Sequence, residues 1–188
     1  MKHILTALRL SLLSVFFFCV VYTLLIWGIA QAAPNKGEGE TVTVNGKVVG
    51  YALEGQNFTK DKYFWDRPSK AGNGYDATSG SGSNKGPSNP DYLADVQAHI
   101  DTFLVHNPDV KKEDVPSELV TYSASGLDPD ISPEAAYVQV SRIAKIRNIS
   151  EDKLNALIEN STQKPLMNLF GTEKINVLQL NIALDNLK

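Results

Sequence analysis

The chain has 188 residues, with 18 basic and 21 acidic side chains, three histidines and one cysteine, for a formal charge of −3. That length holds one or two domains, and the lone Cys19 excludes an internal disulfide or a thiolate metal site. Residues 1–33 contain Lys2 and Arg9 and no acid, which leaves 16 basic (18 − 2) against 21 acidic side chains in residues 34–188. A mildly acidic domain without clustered Lys and Arg argues against nucleic acid as a partner.

The N-terminal segment is the strongest feature. Residues 10–33, opening at Leu10, carry no charge in 24 residues; the apolar part closes at Ile29 and the uncharged run at Ala33. A helix of that length rises roughly 36 Å, enough for a ~30 Å hydrocarbon core. Lys2 and Arg9 precede it, and basic flanks stay in the cytoplasm. The expected layout is therefore a cytoplasmic N-terminus over 1–9, a transmembrane helix over 10–33 and an extracytoplasmic domain over 34–188. A cleaved signal peptide is the rival, because Ala30-Gln31-Ala32 fits the small-x-small cleavage pattern. The apolar stretch is longer than the ~7–15 residues of a signal core, which favours retention. The segment has no ionisable group, so alone it offers an ion no pathway.

A short polar linker over 34–40 leads into Thr41-Val42-Thr43-Val44-Asn45-Gly46-Lys47-Val48-Val49. Asn-Gly between β-branched residues predicts a hairpin with a type I′ turn. Residues 71–90 are dominated by Gly, Ser, Asn and Pro. Composition reads them as a flexible loop; an ordered docking loop is the sharper reading. A phosphate-cradling loop fails, since Lys85 precedes Gly86 and no Gly-Lys-Ser/Thr occurs. Asn89-Pro90-Asp91 predicts a helix start, with Leu93, Val96, Ile100 and Phe103 as its apolar stripe and Pro108 as its end. A second helix starts at Ser132-Pro133-Glu134 and runs to about Arg147. A third follows Ser150, with Leu154, Leu157 and Ile158 inward. A last begins near Asn176, whose spacing to Gln179 suits a capping box. A few strands and several helices predict an α+β domain.

Catalytic constellations are weak. His99 and His106 lie seven apart on one helix face with no third ligand evident, and read as solvated surface histidines. Ser123-Ala124-Ser125-Gly126-Leu127-Asp128 lacks the first glycine of a nucleophile elbow. Asp128 and Asp130 supply too few oxygens for calcium. Residues 123–133 instead read as a rigid structural and docking element: Gly126 permits positive φ, Pro129 and Pro133 restrain the chain, and Ser132 caps a helix.

The same stretch carries a resemblance. Ser117-Glu118-Leu119-Val120-Thr121, the run from Ser123 through Asp128 to Pro129, Ile131-Ser132-Pro133 and Ala135-Ala136 resemble the central signature of the KdpC family, as do Gln139, Arg142, Ala144, Lys145 and Arg147. Gly55-Gln56-Asn57-Phe58, Tyr63-Phe64, Arg67-Pro68-Ser69 and Gly82-Ser83-Asn84 precede it in the family's order. Ile175-Asn176-Val177-Leu178, Leu180-Asn181 and Ala183-Leu184-Asp185 follow. Tyr51, Glu54, Asp66, Lys85 and Ser141 depart from the pattern at motif edges.

The resemblance implies an accessory, non-catalytic subunit of a bacterial ATP-driven potassium uptake pump in the cytoplasmic (inner) membrane. Its partners would be a potassium-channel-like subunit and a P-type ATPase subunit, and the complex would handle ATP and K⁺. It also implies a role in assembly and in promoting ATP binding. With the domain outside and ATP inside, that effect would be indirect, a coupling between sites. Asp61-Lys62 is followed by Tyr63, not by the Thr-Gly of an aspartyl-phosphate enzyme. No catalytic residue, metal ligand or bound cofactor is therefore assigned. The candidate subunit contacts are Arg67, Ser83, Asn84, Ser123, Ser125, Gly126, Asp128, Gln139 and Arg142. The alternative is a membrane-tethered exported binding or structural module unconnected to a pump.

Overall fold

The computed structural model describes residues 2–187. They form two compact units, one up to Thr41 and one from Val42 onward. In the first, α1 (Lys2–Phe16), a π-helical segment (Phe17–Tyr22) and α2 (Thr23–Ala30) follow without a break. His3–Ala30 is a 28-residue helix whose 18-residue apolar stretch has a mean hydropathy of 2.4 with none of it buried. At 1.5 Å per residue it is about 42 Å long, sufficient to cross a bilayer. The helix starts earlier than the uncharged run. Arg9 lies within it because Arg is a good helix former and a charge by itself does not stop helical winding.

The second unit is a mixed α+β domain. β1 (Thr41–Val44) and β2 (Lys47–Tyr51) form the expected hairpin. Asn45 and Gly46 hold φ of 50° and 76°, as a type I′ turn requires. α3 (Pro90–His106) begins where the sequence placed it, with the Asn89 side chain accepting from the Tyr92 amide at 3.1 Å. Its stripe is only partly covered: Phe103 is buried, whereas Leu93 is exposed. Two short strands, β3 (Asp130–Ile131) and β4 (Ile175–Asn176), pair antiparallel with Ile131 opposite Ile175. This clamps the segment leading into the middle helices to the segment leading into the last helix.

The single helix expected from Pro133 to Arg147 is two, α4 (Pro133–Tyr137) and α5 (Val140–Arg147). The break falls at Val138–Gln139. There Gln139 N–H donates to Ala136 O at 3.1 Å, a tightened turn, while its side chain is engaged elsewhere. α5 ends at Asn148 in the left-handed region (φ 53°), a residue type that tolerates it. α6 (Glu151–Ser161) buries Leu154 and Ile158, and α7 (Val177–Asn186) buries Val177, Leu178, Leu180, Asn181 and Leu184. The core is one cluster in which Ile131, Ile143, Leu154, Ile158, Ile175, Leu180 and Leu184 meet Phe64 and Phe103. Asn176 Oδ1 accepts from the Gln179 amide at 3.0 Å, and its Nδ2 donates to Ala52 O at 2.8 Å. One residue thus caps α7 and ties in the chain after the hairpin.

Candidate functional site

Three segments distant in sequence converge: residues 55–69, the turn at 123–128, and α4–α5. Their junction is polar. Gln139 is fully buried. Its Oε1 accepts from Trp65 N–H at 2.7 Å and from Arg142 Nη2 at 2.7 Å. Its Nε2 donates to Ala135 O at 2.9 Å and Trp65 O at 3.2 Å. Every hydrogen-bonding direction of the amide is used, which is what makes its burial affordable. Arg142, 5% exposed, donates from Nε to Asn107 Oδ1 at 2.9 Å and from Nη1 to Tyr63 O at 3.0 Å and to Asp61 O. Its guanidinium lies 4.8 Å from the Trp65 ring centre. Burial lowers its pKa to about 10, against the opposing pull of Asp61, so it stays charged at neutral pH. Asn181 on α7 completes the node: its side chain accepts from Phe64 N–H at 2.9 Å and donates to Phe64 O at 3.0 Å. Residues 63–65 therefore lie like an extra strand whose partners are side chains.

Nearer the surface, Arg67 Nη1 pairs with Asp128 Oδ2 at 2.9 Å, with both side chains half-buried. Ser69 Oγ donates to Gly126 O at 2.6 Å and accepts from Tyr75 N–H at 2.8 Å. Tyr75 OH bonds Arg67 O. Gly55 N–H donates to Leu127 O at 2.8 Å, and Ser123 N–H to Pro68 O at 3.1 Å. The positive φ expected of Gly126 is present at 73°. A Cβ there would stand 2.6 Å from Ser81 O and 2.7 Å from Ala71 Cβ, so the position demands glycine on two counts. Gly82 is similarly tight, with Ala124 O at 2.8 Å from a Cβ built there. The Gly/Ser-rich segment is thus packed against the 123–127 turn rather than free, which corrects the flexible-loop reading. Close backbone approach and positive φ together explain Gly126, and close approach alone explains Gly82.

Asp66 lies beside this lock. Its Oδ1 accepts from Arg67 N–H at 2.7 Å, and its Oδ2 is buried without a partner. Burial, reinforced by the charges of Asp128 and Asp130, pushes its pKa up to about 8 against the help of Arg67. Burial likewise raises the Tyr75 hydroxyl. A cleft of about 430 Å³ opens here, lined by Trp65, Asp66, Arg67, Tyr75, His99 and His106 among others. The histidines are half-buried and partnered, not solvated as expected. His99 Nδ1 is 3.0 Å from Val120 O and its ring packs edge-on to Tyr122. His106 Nδ1 is 2.7 Å from Asp61 Oδ1 and its ring packs on Trp65. Facing the domain body, α3 gave them aromatic neighbours that helical spacing could not reveal.

The candidate contacts therefore divide. Ser123, Gly126, Gln139 and Arg142 are buried and hold the domain's own segments together. Ser125 and Asn84 are exposed, and Arg67, Ser83 and Asp128 half-buried. Ser125 Oγ accepts from Leu127 N–H at 3.1 Å, a turn contact with no base beside it, and Asn84 holds φ 53°. Asp66, Asn107 and Asn181 were missed as contributors. For Asn181 the signal was available, as a polar residue set between Leu180 and Leu184 on an inward stripe.

The chain matches, over residues 4–186, the family model described as KdpC, the K⁺-transporting ATPase c chain. It is 57% identical to a potassium-transporting ATPase KdpC subunit of Bacteroides fragilis, covering 100% of this chain and 99% of the relative. It is 58% identical to that of Bacteroides thetaiotaomicron, with both chains fully covered. Identity to the corresponding subunit of Caldanaerobacter subterraneus is 39%, covering 97% of this chain and 94% of the relative.

Proposed function

Because the chain belongs to the KdpC family, the c chain of K⁺-transporting ATPases, we propose that it is a non-catalytic accessory subunit of a high-affinity, ATP-driven potassium uptake complex. Its partners are a potassium-channel-like subunit and a P-type ATPase subunit. Its N-terminal helix is retained and spans the bacterial inner membrane with the N-terminus inside and the soluble domain outside. It assembles and stabilises the complex, and it promotes ATP binding by the ATPase subunit through those contacts rather than by touching nucleotide. The observation that best supports an accessory role is the internal use of Gln139, Arg142, Ser123 and Gly126. These residues tie three segments together, and the exposed or half-buried Arg67, Ser83, Asn84, Ser125 and Asp128 are the contacts we assign to partner subunits. A rigid, tethered body suits docking, because less conformational entropy is lost on binding.

The test is reconstitution. The tagged full chain, coexpressed with the other subunits and purified in mild detergent, is expected to bring down both. Leaving it out should lower K⁺-stimulated ATP hydrolysis. Full K⁺-stimulated hydrolysis by a complex without this chain overturns the proposal. For topology, a Glu113→Cys, Cys19→Ser chain is labelled in intact cells with an impermeant thiol reagent; labelling only after lysis overturns the outside placement.

A further inference from the structure

Residues 163–174 leave the body of the domain as a narrow hairpin. Gln163 and Lys174 exchange backbone hydrogen bonds at 2.8 and 3.2 Å, and Leu166 and Phe170 do so at 3.1 and 3.0 Å. Met167 and Asn168 turn the chain with φ of 55° and 56°. The base is fixed, since Lys174 Nζ pairs with Asp130 Oδ2 at 2.6 Å beside the β3–β4 pair. The tip is the anomaly. Leu166, Met167, Leu169 and Phe170 are 72%, 82%, 74% and 62% exposed, four large apolar side chains within five residues of a soluble domain. Residues 165–172 carry no charge, whereas residues 34–188 as a whole carry 16 basic and 21 acidic side chains. Contiguous exposed apolar surface of this kind marks an interaction site.

We propose that this tip is a plug that inserts into an uncharged, apolar socket on the extramembrane face of another subunit of the same K⁺-transporting ATPase; the inference rests on the accessory-subunit reading above. Three observations favour a protein socket. The family is by its description one chain of a multi-subunit ATPase, so a partner surface exists for this chain to meet. The tip's composition, with Met, Phe and Leu and no charge, is that of the desolvated centre of a protein interface. A lipid surface fits less well. Insertion at anionic headgroups draws on clustered Lys and Arg, and the hairpin has only Lys164 and Lys174, offset by Glu173 and with Lys174 held by Asp130, while the domain carries 21 acidic against 16 basic side chains. The tight, pinned turn presents the four side chains in a set arrangement, which suits a shaped pocket.

The experiment uses the full chain coexpressed with the other pump subunits in native membranes. A photoreactive benzoylphenylalanine replaces Met167, and the complex is irradiated, purified and analysed by mass. The expected result is a crosslink to a membrane-embedded subunit. The Leu169→Asp, Phe170→Asp double variant is expected to co-purify with that subunit at least tenfold less, while keeping the parent's thermal unfolding profile. Crosslinks to lipid alone, crosslinks to a second copy of this chain, no crosslink in an intact complex, or normal co-purification of the double variant each overturn the plug. If the unmodified chain fails to bring down any ATPase subunit, the accessory-subunit reading itself has failed, and the control lane shows this separately.

Discussion

The junction around Gln139 and Arg142 and the hairpin tip around Met167 invert the usual placement of residues. The junction puts an amide and a guanidinium where less than a tenth of either is exposed; the tip puts Leu, Met and Phe where more than half of each is. The junction can do so because the Gln139 amide and the Arg142 guanidinium have partners, so their desolvation penalty is met by charge-assisted and neutral hydrogen bonds. The tip has no such internal compensation, and its apolar surface gains nothing from the domain's own fold. Read together, they separate residues that hold the domain in shape from residues left available for something else. Motif likeness alone did not make that distinction: Gln139 and Arg142 carried the family resemblance, and the tip did not.

Substitutions can break or sharpen this contrast. Arg142→Met is expected to have the largest effect. It leaves Gln139, Asn107 and the Tyr63 carbonyl short of a donor in the interior, and should cost about 3–5 kcal/mol, lowering the melting temperature by roughly 10 °C. Thermal unfolding of the full chain in detergent measures this; a loss under about 1 kcal/mol would mean that the junction is not what holds the segments. Gly126→Ala comes next at about 2–3 kcal/mol, since the new methyl meets Ser81 O and Ala71 Cβ at a positive φ. It should also loosen the 71–90 segment, visible as faster proteolysis there.

Asp66→Asn tests the junction's edge through pH. The unfolded carboxyl releases its proton near 3.8 and the folded one near 8, so between these values the folded state binds more protons. Stability therefore falls as pH rises through that window, because the buried form is neutral and must either stay protonated or carry an unwelcome charge. Asp66→Asn should flatten the slope and be relatively most stabilising at the alkaline end, as read by urea unfolding at both ends. The smallest effect is expected at the tip: Phe170→Ser should change stability by no more than about 0.5 kcal/mol, because the ring touches little that folding buries. Urea unfolding checks it, and a loss near that of Arg142→Met would erase the contrast.

Local chemistry determined much of this protein. The apolar run dictated a long N-terminal helix, Asn45-Gly46 a type I′ hairpin, and Asn89, Ser132 and Asn176 the starts of three helices, because these features act within a few residues of chain. The α+β class followed from their order, and Gly126 was legible as a positive-φ position. Only the tertiary structure decided the rest. Whether Gln139 faces water or the backbone of Trp65, whether Asp66 is a surface acid or a buried one, and whether His99 and His106 meet solvent or aromatic rings depend on residues 23 to 74 positions away. No periodicity encodes such meetings. The helix break at Gln139 has the same origin: the side chain is held by Trp65 across 74 residues, and that long-range demand overrides a local preference for one continuous helix.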